Sequence, residues 1–385
     1  MSCHRHRIAL SILLCCLALP HTAARGGVQN TIRTATPVSA GSVIIIQRDI
    51  DTQKKLIVTN IAGGDATKVR QARQTLIDNA DNANGSASDA YQKQYATQLD
   101  ESLSPLTAAP NPRLVRLNAA IVIGQVAEKV SRTDNADIFA KVAAALLQTK
   151  DFETQLWGLK IAKFVLSSEA DKNAKIVGDL DKLIVKTVEN SKFPGELIEE
   201  AYRALKFDPL AQPPAMILQN NRKLAVTLAT LTLPDLLDLI EWRTQQFKNG
   251  PPVNPRAESE LTGYLPVGAG LEAVNSNPVL RDRTLKAVGE LTCAQLKAAT
   301  DAIAAGIPLD PDLVDVARNC GSAMASFGGS LANGNPPVNG AEALAAAGDV
   351  IRREIQLNTS DDKLKSWCDG LTKALQGMNI QVSMP

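Results

Sequence analysis

The sequence predicts an all-α protein: an α-solenoid of antiparallel helix pairs, followed by an irregular C-terminal helical region. Apolar residues recur at spacings of three and four, and capping residues precede many of these stripes. Successive helix starts fall near residues 112, 134, 153, 173 and 194. One helix about every 20 residues is the period of stacked helical pairs, in which each pair needs neighbours to bury its apolar face.

Residues 1–24 have the pattern of a secretory signal peptide. Arg5 and Arg7 supply positive charge, the 12 residues from Ile8 to Leu19 are apolar, and Thr22-Ala23-Ala24 resembles a cleavage site. A membrane span needs about 20 residues, so the apolar run is too short for an anchor. We therefore expect export to the periplasm or the extracellular space, and a mature chain without a transmembrane segment.

The histidines and the charged residues disfavour two classes of function, histidine-based catalysis and nucleic-acid binding. All three histidines, His4, His6 and His21, lie in the predicted signal peptide. The mature chain would then lack the side chain best suited to acid–base catalysis at neutral pH. The full chain has 41 basic and 40 acidic residues with no long basic run, so nucleic acid is not expected as a partner.

Residues 25–64 form a poorly defined N-terminal arm in this prediction. The stretch 25–42 is small and polar, which favours a flexible segment. From Val43 to Ile61 the pattern fits both a β-strand and a helix. We favour the helix because the segments that follow are helical.

Residues 65–206 are predicted as the helical repeat domain. Asp65 is placed to cap its first helix, and Asn111-Pro112 and Asp134 or Asn135 are placed to open later ones. The stripes expected to face the core are Val69, Ala72, Leu76 and Ile77; Tyr91, Tyr95 and Leu99; Leu114, Leu117 and Ile121; Ile138, Val142, Leu146 and Leu147; Trp157, Ile161, Phe164 and Val165; Ile176, Leu180, Leu183 and Ile184; and Leu197, Ala201 and Leu205.

Beyond this domain the regular spacing fades. Residues 207–259 are predicted as a helical connector with one helix from about Pro234 to Phe247 and a Pro-rich linker from Asn249 to Pro255. Residues 260–385 are predicted as a C-terminal helical domain. Its helices are expected to begin at Pro278, at a capping Thr292, after Asp310-Pro311, near Ala341 and after Ser360.

The segment from Asn111 to Ala120, with Gly124 after it, resembles a helix of a HEAT-like repeat. It combines an Asn-Pro start, a Val-Arg pair, paired alanines and a later glycine, and Glu200-Ala201 with Ala204-Leu205 is a partial echo. The resemblance covers about residues 90–206. It implies an α-solenoid that binds a partner, a protein or a cell-envelope polymer, and it carries over no catalytic, cofactor-binding or metal-binding residue.

Three cysteines, Cys293, Cys320 and Cys368, remain after signal-peptide removal. They can form at most one intramolecular disulfide, and three separate thiols are an equal alternative. Cys293 lies at a predicted helix start, where a thiolate would be stabilised, although a structural role is favoured over a reactive one. Zinc is disfavoured because no C-x-x-C motif exists and no histidine would complete a tetrahedral ligand set.

Asp235, Asp238 and Glu241 recur every three residues on one predicted helix. Such acids could form a sugar- or cation-binding face, but a solvated helix side is the favoured interpretation. Likewise, Asp310, Asp312 and Asp315 lack the central glycine and terminal glutamate of a calcium loop and fit a helix start.

The glycines from Gly321 to Gly329 indicate close helix packing, because no Gly-Lys-Ser/Thr follows as a phosphate loop requires. Two segments match the N-glycosylation motif, Asn84-Gly85-Ser86 and Asn358-Thr359-Ser360.

We therefore expect a non-enzymatic, exported helical-repeat protein that acts as a macromolecule-binding scaffold, without a cofactor. The first alternative is an exported helical-toroid carbohydrate-active enzyme that uses paired carboxylates. A purely structural envelope component is a further alternative that shares every sequence feature of the scaffold. No carboxylate pair stands out in the sequence, and the few aromatic residues offer little platform for a sugar.

Overall fold

The computed structural model describes residue 28 and residues 30–81, 87–169, 172–205, 217–259, 261–265 and 274–382. Within these ranges the chain is helical and contains no strand, so the all-α prediction is confirmed. The predicted signal peptide, the acceptor Asn84 and the first part of the predicted connector lie outside the described residues.

The N-terminal helices are α1 (Asn30–Arg33), α2 (Ala40–Ala62), α3 (Ala66–Ala80), α4 (Asp89–Leu103), α5 (Arg113–Val130), α6 (Ala140–Leu147), α7 (Phe152–Glu169), α8 (Ala174–Glu189) and α9 (Pro194–Leu205). Helices close in sequence are neighbours in space: α2 packs against α3 and α4, α5 against α3 and α7, and α9 against α7 and α8. The ambiguous stretch from Val43 to Ile61 lies inside α2, as favoured.

The later helices are α10 (Ile217–Lys248), α11 (Leu261–Tyr264), α12 (Pro278–Ala304), α13 (Pro311–Ala332), α14 (Ala341–Glu354) and α15 (Asp361–Gly377). Helix α10 packs against both α8 and α12, which connects the two groups of helices. Helix α12 contacts α13 and α15, and α14 lies between α13 and α15. The buried apolar residues form one continuous cluster that extends from Val28 to Ile380.

Two predicted boundaries in the later region are wrong. Thr292 does not cap a helix, because it lies inside α12 and its hydroxyl donates to the Val288 carbonyl at 2.7 Å. Threonine in a helix interior bonds back to the preceding turn in this way, so its presence alone does not mark a start. The helix expected from Pro234 begins at Ile217 instead, and Pro234 lies inside α10.

Two predicted starts in the repeat region also differ. Asn111 does not cap α5; its side-chain amide donates to the carbonyls of Pro105 and Ala108, each at 3.0 Å. A 3₁₀ turn over Ala136–Phe139 follows Asn135, and α6 begins only after it. In both places the side chain that was predicted to cap an α-helix lies in a loop or before a 3₁₀ turn instead.

Glycines set the closest helix contacts. A Cβ on Gly124 of α5 would lie 2.6 Å from the Trp157 ring of α7, so this glycine makes room for an indole. In α13, a Cβ on Gly328 would lie 2.5 Å from the Ala345 nitrogen of α14, and one on Gly348 of α14 would lie 2.5 Å from the Ala325 nitrogen. Close helix packing therefore accounts for Gly321 and Gly328, whereas Gly329 has open space beside it.

Candidate interaction surface

Helix α2 buries one side and exposes another. Ser39 caps it by accepting a hydrogen bond from the Ser42 backbone N–H at 3.1 Å. Its buried residues are Ile46, Ile50, Gln53 and Ile57, and its neighbours are α3, α4 and α5. These residues recur at helical spacing, so one side of α2 is fixed on the core.

The other side of α2 carries large apolar side chains in the open. Ile44 is 68% exposed, Ile45 is 48% exposed, Leu56 is 41% exposed and Val58 is 37% exposed. Single exposed apolar residues are normal, but a group of them on one helix is typical of a binding surface. We call the exposed side formed by Ile44, Ile45, Arg48, Asp51, Thr52, Lys55 and Leu56 the α2 face.

The centre of the α2 face is charged. The Arg48 guanidinium makes no ion pair or hydrogen bond with the residues that the structure describes. Asp51 accepts hydrogen bonds from Gln47 at 3.1 Å and from Ser102 at 3.2 Å, which hold its carboxylate at the edge of the face. The α2 face therefore has apolar groups towards both ends, and two cations, Arg48 and Lys55, and one anion, Asp51, lie between them.

The acidic helix side around Asp235 is not simply solvated, as the sequence indicated. Asp238 and Glu241 both pair with Arg283 of α12, and the Glu241 contact measures 2.9 Å. Asp235 is only 8% exposed. The pKa of Asp235 is raised to about 6, chiefly by burial and then by the charge of Asp238, against the opposing charges of Lys182 and Arg283.

Asp181 of α8 is a buried acid that the sequence reasoning missed. It is fully buried, and neither carboxylate oxygen has a hydrogen-bond partner among the described residues. Burial, and then the charge of Asp235, raise the pKa of Asp181 to about 8. At neutral pH this carboxyl is therefore mostly protonated, because an ion without a partner is poorly tolerated in the interior.

A signal for Asp181 did exist in the sequence. It continues the buried stripe of α8 formed by Val177, Ile184 and Val188, at the spacing that a helix presents to its neighbour. The Asp181–Asp235 pair lies between helices, and its inner member has no exposed surface. In this conformation a polymer substrate therefore cannot contact both carboxyl groups.

The three cysteines have two different environments. Cys293 of α12 and Cys368 of α15 form a disulfide with their Cα atoms 5.2 Å apart, and Cys320 is a buried free thiol. Cys293 lies inside α12 and not at a helix start, so the predicted reason for a reactive thiolate is absent. Burial, and then the charge of Glu258, raise the pKa of Cys320, which disfavours its thiolate as well.

The remaining acidic cluster divides among separate partners. Asp310 caps α13 by accepting a hydrogen bond from the Asp312 backbone N–H at 2.9 Å. Asp312 pairs with Arg256, and Asp315 pairs with Arg318. Across the described ranges, no three His, Cys, Asp or Glu side chains converge as a metal site would require.

Near the C-terminus, a surface pocket lies beside the loop between α14 and α15. Arg353 and Lys363 line it, but Arg353 pairs with Asp349, and the Lys363 ammonium lies 4.0 Å from Glu354. The glycosylation acceptor Asn358 is exposed in a turn of the same loop. The pocket thus has no free pair of cations for an anionic ligand.

Among the helices that the structure describes, none combines the length and the apolar character of a membrane span. No protein-family model matches the chain, and no curated protein is significantly similar to it. Among solved structures, the crystal structure of an engineered protein is 14% identical, covers 85% of this chain and 99% of its own, and has a TM-score of 0.26. A likeness at that score carries no argument about fold or function.

Proposed function

We propose that this chain is a non-enzymatic, exported scaffold of HEAT-like helical pairs that binds another macromolecule. The observation that carries the proposal is the α2 face, where Ile44, Ile45 and Leu56 stay exposed on a helix whose other side is buried. Burying such side chains in a complex is favourable, at about 25 cal/mol for each Å² of apolar surface removed from water.

The packing order supports a stacked arrangement. Helix α5 contacts α3 and α7, and α7 contacts α9, so alternate helices form a continuous row, while α4 and α8 lie beside it. In stacked helical pairs, each unit contacts mainly its neighbours in the chain, as these helices do. Such a row would present an extended surface, which is what a scaffold needs.

Export is supported by the signal-peptide pattern and by the Cys293–Cys368 pair. Disulfides persist in oxidising compartments and are rare in the cytosol. This disulfide joins α12 to α15 across a sequence separation of 75. In an oxidising compartment it would lower the conformational entropy of the unfolded chain and so stabilise the fold.

The enzymatic alternative has less support. A glycoside hydrolase needs two carboxyl groups that flank a sugar bond in a cleft. The charge of Asp235 raises the pKa of Asp181, yet Asp181 is fully buried where α8 packs against α10. Hydrolysis of a polysaccharide panel by the purified chain, abolished in Asp235→Asn, would favour this alternative over the scaffold.

We expect a photo-crosslinking residue at position 45 to capture a macromolecule in the fraction where the protein normally works. Position 114 of α5 provides the matched control. Leu114 was predicted to face the core, but it is 56% exposed and lies outside the α2 face, because α5 buries Val115, Ala119 and Val122 instead. Adducts are identified by mass spectrometry. The proposal predicts adducts at position 45 that are reduced by Leu56→Glu and absent at 114; equal yields at both positions would contradict it.

A further inference from the structure

The order of side chains along the α2 face is self-complementary. Ile44 and Ile45 lie near its amino end, Leu56 lies near its carboxyl end, and the charged residues Arg48, Asp51 and Lys55 lie between them. Ile45 and Leu56 are separated by about 16 Å along the helix axis, at 1.5 Å for each residue. A second α2 that runs in the opposite direction therefore presents its leucine where the first presents its isoleucines.

The charges match in the same register. When two α2 helices are antiparallel and centred near residue 50, Arg48 of one copy lies opposite Thr52 of the other, next to Asp51, and Lys55 lies opposite Ile45. The Arg48 guanidinium has no partner within the described part of its own chain, and the Asp51 carboxylate is held in place by Gln47 and Ser102. A two-fold axis repeats each of these contacts, so one pair of charges becomes two.

We propose that the α2 face is covered by a second copy of this chain, in an antiparallel α2–α2 contact. The inference rests on the proposed function and names the partner of its surface. A helix side on which nothing packs is usually polar. Among the described helices, α2 packs chiefly against α3, α4 and α5, and its outer side is apolar at both ends. A second chain that packed on the outer side of α2 would bury these apolar residues.

Sedimentation equilibrium of the purified full chain tests the proposal. A single helix pair is at the small end of protein interfaces, so we expect a concentration-dependent equilibrium between one and two chains. Leu56→Glu is expected to raise the dissociation constant at least about tenfold, and Leu114→Glu is expected to leave it unchanged. Both leucines are exposed, so circular dichroism of each variant should match the wild type.

Charge reversal provides a second test of the register. Arg48→Glu places a carboxylate next to Asp51 of the other copy and should weaken the dimer. The double variant Arg48→Glu with Asp51→Arg restores opposite charges in both symmetry-related positions and should recover most of the affinity. Recovery of this kind requires direct contact, because two unrelated surface changes would simply add.

A chain that is monomeric at every concentration would overturn the proposal, as would a dimer that Leu56→Glu leaves intact. The scaffold function would survive a monomer if crosslinking at position 45 captured a different macromolecule. It would fail separately if neither self-association nor any captured partner depended on Leu56.

Discussion

Replacing Glu258 by glutamine is expected to lower the free energy of unfolding by about 3–5 kcal/mol, because it leaves a buried guanidinium without its counter-ion. Glu258 is fully buried, and its Oε1 accepts hydrogen bonds from Arg243 Nε at 2.6 Å and from the Tyr202 hydroxyl at 3.1 Å. Urea unfolding at neutral pH, followed by circular dichroism, measures the change.

The same arginine fixes the segment that the sequence assigned to a linker. Arg243 Nη2 donates to the carbonyls of Val253 at 3.2 Å and Asn254 at 2.7 Å. The Asn254 side chain in turn donates to the Gly195 carbonyl at 3.0 Å, which ties the segment to α9. Loss of the Glu258 charge should therefore loosen the contact between α9, α10 and the segment between Asn249 and Pro255.

Arg256→Met is the matched control for this prediction. Arg256 is two residues from Glu258 and pairs with Asp312, but its side chain is 64% exposed. Exposed pairs contribute less than about 1 kcal/mol, so this variant should unfold close to the wild type. An equal loss of unfolding free energy in Glu258→Gln and Arg256→Met would contradict the prediction, because it would show that burial does not determine the cost of breaking an ion pair.

Replacing Asp181 by asparagine is expected to stabilise the protein at neutral pH and to have little effect near pH 4. The pKa of Asp181 is about 8 in the folded chain and near 3.8 when the chain unfolds. The folded state therefore binds the proton more tightly, and the free energy of unfolding falls as pH rises from about 4 to about 8. Because the folded state binds one more proton than the unfolded state in this range, the free energy of unfolding falls by about 1.4 kcal/mol for each pH unit.

Asparagine keeps the shape of the side chain and cannot ionise. The gain over the wild type should thus grow with pH and reach about 4 kcal/mol at pH 7, where the wild-type carboxyl is held protonated at the expense of folding. Urea unfolding between pH 4 and pH 8 measures the two slopes. Asp179→Asn, an exposed change on the same helix, should give a curve parallel to that of the wild type.

A curve for Asp181→Asn that runs parallel to the wild type would mean that Asp181 is ionised in the folded chain or finds a partner there. Asp235 also affects the wild-type slope below about pH 6, because its pKa is raised to that value. That contribution remains in Asp181→Asn, because the pKa of Asp235 is raised by burial and by the charge of Asp238.

Periodicity was sufficient to predict the all-α fold, because burial on one side of a helix leaves a regular trace in the sequence. Some helix caps were also predictable. Asp65 accepts a hydrogen bond from the Lys68 backbone N–H at 3.0 Å, as expected. Thr292 and Asn111 were not, because the same polar group can bond to a loop or to its own helix. Only the folded chain decides between these partners.

The candidate surface was missed for a different reason. The run Val43 to Ile46 is apolar on every side of the helix, so periodicity cannot separate the buried Ile46 from the exposed Ile44 and Ile45. Asp181 was not predicted because sequence spacing identifies acids that recur on one helix, such as Asp235 and Asp238. Its approach to Asp235 joins two helices that are separated by α9 in the chain.

Genetic complementation tests most directly whether this chain works by binding and not by acid chemistry. In a strain that lacks the protein, wild type, Leu114→Glu and Asp235→Asn are predicted to restore the lost phenotype at equal expression. Leu56→Glu, which alters only the α2 face, is predicted to fail. Restoration by Leu56→Glu together with failure of Asp235→Asn would contradict the account and assign the function to the acidic pair.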